Sequence, residues 1–124
     1  MIRWLEKNRG ISIIFVILVA VEIFFFSSIS GGALAPAPGI SITPVIYHFS
    51  VFFLLNFFLL VSLNGKRNIE MRYLIIASVF SIIYSVLDEI HQLFVPFRYS
   101  DLGDVLTNNI GIFLSNLVYL YSKK

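Results

Sequence analysis

Four apolar runs, at roughly 11–29, 43–63, 71–94 and 103–121, fill most of this 124-residue chain. A helix rises about 1.5 Å per residue, so a hydrocarbon core about 30 Å thick takes about 20 helical residues to cross. Each run meets that length. The composition agrees, with 58% of residues hydrophobic, only 13% charged, and 13 Phe. A water-soluble domain of this size would carry far more polar surface. The expected fold is an all-α integral membrane protein, a single domain over 1–124 with four transmembrane helices.

The connectors carry helix-stopping chemistry. "SGGALAPAPG" (30–39) is rich in Gly and Pro, "NGKRN" (64–68) is a charged turn, and "VPFRYSD" (95–101) holds a proline before its arginine. The charges then orient the spans. Arg3, Lys7 and Arg9 precede the first run, Lys66, Arg67 and Arg72 surround the second connector, and Lys123 and Lys124 end the sequence. Four spans put those three regions on one side, with eight of the nine basic residues against Glu6 and Glu70. The other side keeps Arg98 against Glu22, Asp88, Glu89, Asp101 and Asp104. By the positive-inside rule both termini are cytoplasmic, in a multi-pass protein of the cell membrane. A cleaved signal peptide is the rival reading of the first run. Its length, Glu22 and Pro36 after "ALA" (33–35) instead favour a retained span.

Composition also excludes chemistry. Without cysteine there is no disulfide, thiolate metal site or cysteine nucleophile. The pI of 9.0 does not imply nucleic acid, because the basic residues border apolar runs instead of forming a phosphate-binding stripe. No nucleic-acid partner is expected.

Against this background "DEIHQLFVPFRYSDLGDVLTNN" (88–109) stands out, with four of the seven acidic residues, one of the two histidines and Arg98. Helical periodicity puts Ser81, Tyr84, Ser85, Asp88, His91 and Gln92 on one face of the third span. Asp104, Thr107, Asn108, Gly111 and Ser115 share a face of the fourth, and Glu89 flanks the first stripe. At the helical rise Asp88 lies about 24 Å beyond Arg72 and Glu22 about 20 Å beyond Arg9. His48 starts the second span from the same side. All four spans thus bring a polar group to one layer of the outer leaflet. Ser81, Ser85, Asn109 and Asn116 read as ordinary interhelical hydrogen-bonders. The ionisable residues do not, since an acid at bilayer depth costs roughly 2.5 kcal/mol or more. They are read as a functional site.

Those residues carry a resemblance. "DEIHQLFVPFR", then Asp104, Asn108 and Gly111, resembles the signature of the VanZ-like family of small membrane proteins. His48 matches that family's histidine near the head of the second span, and "FFFSS" (24–28) is similar to the end of its first. The chain departs from the pattern at Phe97, where the family often has Gly, at Val45, often Lys, and at Phe52, often Tyr. The resemblance implies a link to the cell envelope. The founding member is associated with resistance to teicoplanin, an antibiotic that acts on cell-wall precursors outside the membrane.

The leading expectation is a polar site that engages the head group of a membrane lipid or lipid-linked envelope precursor. Glu22, His48, Gln92, Arg98 and Asn108 would bind it, with Arg98 gripping a phosphate or carboxylate. The alternative is an intramembrane enzyme in which Asp88 and His91, with Glu89 and Asp104, supply acid–base chemistry to an amphipathic substrate. A third reading, a small proton-coupled transporter, is prompted by Glu22 but lacks a polar line toward the cytoplasmic mouth. No cofactor is expected. A divalent metal held by His48, Asp88, His91 and Asp104 is the alternative there.

Overall fold

The computed structural model describes residues 2–30, 42–65 and 69–123. It contains five helices among them: α1 (Ile2–Lys7), α2 (Arg9–Ser28), α3 (Thr43–Asn64), α4 (Met71–Gln92) and α5 (Leu102–Ser122). Most of the Gly- and Pro-rich connector and residues 66–68 of the charged turn lie outside the described residues.

Local chemistry sets the helix ends. Pro44 opens α3, where its missing N–H would be unpaired in any case. Asp101 caps α5, its side chain accepting the N–H of Gly103 at 2.8 Å, and Asp104 follows in the first turn, where the helix dipole favours an acid. Gly65 ends α3 at φ 57°, a backbone conformation natural to glycine. The short α1 has no counterpart among the expected elements. Asn8 separates it from α2, donating its side-chain N–H to Trp4 O at 2.9 Å.

α3 is the central helix. It packs on all four others, most extensively on α5, while α4 contacts α2, α3 and α5. Its Phe52, Leu55, Asn56, Leu60 and Val61 are completely enclosed. One apolar cluster joins Val19 and Ile23 of α2 to Val51, Phe52 and Leu55 of α3 and Ile112 of α5. A second joins Leu5 to Phe57, Leu60, Val61, Leu74, Ala77 and Tyr119. Gly111 lets α5 approach α3 closely, since a Cβ there would lie 2.5 Å from Phe49 O.

Hydrogen bonds show that the four long helices alternate in direction. At one end Arg9 reaches Asn64 O (3.4 Å), Asn64 donates to the Tyr119 hydroxyl (3.1 Å), and that hydroxyl donates to Glu6 (2.9 Å). Lys123 pairs with Glu6 and donates to Gly65 O. At the other end Ser27 of α2 meets Asp88 of α4. Outward faces are apolar: Ile14, Ile17, Leu18 and Phe25 on α2, and Ile75, Ile83 and Leu87 on α4, are exposed. Such a surface suits lipid.

Three helices, α2, α3 and α4, are long and apolar enough to cross a membrane, where four were expected. α5 has the length, at 21 residues, but not the composition. Asp104, Thr107, Asn108, Asn109, Ser115 and Asn116 dilute it, the same polar stripe that drew attention to it.

Candidate functional site

The last turns of α4 direct Ser85, Asp88, Glu89 and Gln92 into the bundle, where all four are buried. Asp88 is held on both oxygens. Ser27 Oγ donates to Oδ1 at 2.5 Å, and Gln92 Nε2 donates to Oδ2 at 3.2 Å while also reaching Ser27 Oγ at 3.3 Å. Glu89 accepts the backbone N–H of Asp101 on Oε2 at 3.2 Å. From α3, His48 enters the same space with Nε2 3.8 Å from Asp104 Oδ2. One ring nitrogen of His48 and one carboxylate oxygen each of Asp88 and Glu89 lie within 4.8 Å of one another. Below them Asn108 donates to Ser85 Oγ at 2.9 Å.

Two features set this end of the bundle apart. The Tyr47 hydroxyl, His48 Nδ1, Glu89 Oε1 and Asn108 Oδ1 are buried without a hydrogen-bond partner among the described residues. Three acids, Asp88, Glu89 and Asp104, also stand beside one histidine. Among the described residues no Lys or Arg forms an ion pair with any of them.

The remaining expected residues are placed differently. His91 is half-buried on the neighbouring face, its Nε2 3.0 Å from Ser28 Oγ and its ring stacked on Phe24 at 4.9 Å between centroids. No hydrogen bond joins it to Asp88 among the described residues; the histidine beside Asp88 is His48. Arg98 donates to Phe26 O (2.7 Å) and Ile29 O (3.2 Å), so it caps the C-terminal end of α2, where a cation is favoured. Its guanidinium faces backbone carbonyls instead of a carboxylate. Glu22 is exposed on α2, outside the enclosed cluster but near enough to Tyr47 for its charge to be felt there.

The structure adds residues that were not foreseen. Ser27, Ser28 and Tyr47 complete the site; the two serines belong to the "FFFSS" run that resembles the family but were given no role there, and a Tyr in a membrane helix raises no signal. Asn56, in the run "FLLNFFLL", is the hub of a deeper network. Its amide nitrogen lies 2.6 Å from Ser115 Oγ and 3.0 Å from Asn116 Oδ1, and its oxygen accepts from Ser81 at 3.1 Å. Asn116 in turn donates to Ser78 at 2.8 Å. A lone amide in an apolar run was the available clue. Ser81, Ser115 and Asn116, expected as interhelical or stripe residues, thus meet on an unforeseen residue of α3. The enclosed apolar layer of Phe57, Leu60, Val61 and Ala77 then separates them from Glu6, Asn64 and Tyr119 at the far end.

No curated protein and no solved structure matches this chain. The model of one family, VanZ/LLP1, does match, over residues 11–123. That match takes in α3, α4, α5, all but the first two residues of α2, and every residue named at the polar end. This multi-pass membrane protein therefore belongs to the VanZ/LLP1 family.

Proposed function

We propose that the polar end of the bundle engages the head group of a membrane lipid or a lipid-linked envelope precursor on the extracytoplasmic side of the cell membrane. One observation carries the reading: four buried polar atoms there have no partner among the described residues. Leaving a buried donor or acceptor unmade costs about 1–3 kcal/mol, so a fold that keeps four together retains them for a ligand. Tyr47 offers a hydroxyl donor, and Glu89 and Asn108 offer acceptor oxygens. His48 Nδ1 serves either role according to its tautomer. A head group bearing both donors and acceptors fits that set.

The surroundings suit an amphipathic molecule. An apolar groove of about 390 Å³ runs between α2 and α4, lined by Val16, Ala20, Val21, Phe24, Phe80 and Tyr84. It reaches Phe24, on which His91 stacks beside Ser28. An acyl chain in this groove leads to polar groups at the end of α4. Basic residues support the orientation, since Arg9 and Lys123 meet at the opposite end of the bundle, the cytoplasmic one by the positive-inside rule. In this arrangement α5 crosses the membrane with the others, its polar stripe turned to α3 and α4.

Lipid mass spectrometry of the purified protein and of its host membranes tests the reading. A lipid or precursor should co-purify chemically unaltered, and Asn108→Ala should weaken its retention roughly 10-fold, the worth of one hydrogen bond of about 1.4 kcal/mol. Absence of any enriched lipid sinks the proposal. A lipid species that appears or vanishes with the protein, and reverts in Asp88→Asn, makes the protein an enzyme instead.

A further inference from the structure

We infer that His48, Asp88 and Glu89 form a binding site for a single divalent transition-metal ion, with one imidazole nitrogen and two carboxylate oxygens as ligands. The argument begins with distance. The three donor atoms lie within 4.8 Å of one another. Three donors bound to a common ion at about 2.1 Å stand about 3.4–3.6 Å apart, so each side chain has to move inward by up to about 0.7 Å to close the set. All three residues are buried on the rigid ends of α3 and α4, and His48 and Glu89 are only 5% and 3% exposed. The fold therefore brings a histidine of α3 against two consecutive carboxylates of α4.

Unspent valence is the second observation. His48 Nδ1 and Glu89 Oε1 are both buried and unpaired. Neighbouring groups orient each ligand, and Asp88, which accepts a hydrogen bond on each oxygen, would bind an ion through a remaining lone pair. His48 turns Nε2 toward Asp104, 3.8 Å away, too long for a hydrogen bond but close enough for the carboxylate to attract a ring N–H on that side. Asp88 is oriented by Ser27 and Gln92, and Glu89 by the backbone N–H of Asp101.

Charge is the third. Asp88 and Glu89 are adjacent and enclosed, with Asp104 close by, and Arg98 is committed to carbonyls of α2. Burying like charges without a counterion is costly, and a divalent cation removes that cost. A mixed nitrogen and oxygen set suits Zn²⁺ or Mn²⁺. The ligand set differs from the one drawn from sequence. Glu89 takes the place of His91, and Asp104 supports His48 from behind. With a metal bound, His48 Nδ1 and Glu89 Oε1 would serve the ion and Tyr47 and Asn108 would remain for a head group, but the metal site does not depend on that reading.

Full-length protein in detergent, stripped with a chelator, is titrated with Zn²⁺ or Mn²⁺ while thermal unfolding and bound metal are measured. One ion per chain should bind and raise the unfolding midpoint. Glu89→Gln should abolish the shift, and Asp104→Asn should weaken binding by about 10- to 100-fold. His91→Gln should bind as tightly as the native protein. Failure of the native chain to take up either ion, or an unchanged response in Glu89→Gln, overturns the inference. Should Glu89→Gln not fold, Asp104→Asn decides, and native affinity in that variant overturns it too. Because no lipid is added, a negative result here leaves the head-group proposal standing, and loss of lipid binding leaves this one standing.

Discussion

Phe97 occupies a position where the VanZ-like pattern often has glycine, and the backbone explains why. Its φ is 59°, the left-handed region, and it is the single non-glycine residue there among those described. A side chain in that conformation costs about 1–2 kcal/mol, and the exposed Phe97 ring recovers little by packing. Phe97→Gly should therefore raise stability by about 1 kcal/mol, read as a higher thermal midpoint in detergent. A midpoint at or below the native value would show that the turn is not strained. The same scale shows which site residues were readable. Asp88, Glu89, His48, Gln92 and Asn108 stood out because ionisable and amide groups are rare in apolar runs, and all five are buried together. His91 misled because a shared stripe is a broad criterion. Three residues on from Asp88 it lies about 60° round the helix, enough to face Ser28 of α2 instead of the cluster. Arg98 misled for another reason. No sequence pattern announces that a guanidinium will close the end of a neighbouring helix.

The contact between α3 and α5 depends on one glycine. At Gly111 the atoms that an added Cβ would meet are backbone, Phe49 O at 2.5 Å and Phe53 N at 3.2 Å, so no side chain can swing aside. Gly111→Ala should lower stability by about 1–3 kcal/mol, the usual range for overpacking. Gly10→Ala is the control, since open space surrounds that position on α2. It should leave the midpoint unchanged or raise it, because Ala is the better helix former. Equal behaviour of the two variants would mean that the helices can separate freely. The long helices themselves were legible from apolar runs bounded by Gly, Pro and charge, and their observed limits differ from the expected ones by a few residues at most places. α1 was not, because six residues before Asn8 are too few to establish a period. The hub at Asn56 was hidden for a third reason. Its partners come from α4 and α5, at least 25 residues away along the chain, where no local pattern reaches.

At the scale of the whole molecule, charge and packing must agree on how the bundle sits in the bilayer. Hydropathy alone admits α2, α3 and α4 and stops short of α5. A window average treats inward and outward residues alike, whereas lipid meets only the outer face. On α5 that face is Leu106, Ile110, Phe113 and Leu117, all exposed, while Asn108 and Ser115 are enclosed. The far end of α5 returns to the start of the chain, where Lys123 pairs with Glu6 and Tyr119 donates to the same carboxylate. A helix that stayed on the outer surface could not make those contacts. The N- and C-terminal parts of the chain therefore meet at one end of the bundle, and eight of the nine Lys and Arg flank that end in sequence, as the proposed orientation requires. The absence of native cysteine makes the arrangement directly measurable. Single cysteines at Ser100, Asn68 and Ser122 are each exposed to a membrane-impermeant maleimide in intact cells. Ser100→Cys should react, and Asn68→Cys and Ser122→Cys should react only after the membrane is opened. Labelling of Ser122→Cys together with Ser100→Cys would mean that α5 does not cross. The reverse of the whole pattern would turn the polar end, and whatever it binds, toward the cytoplasm.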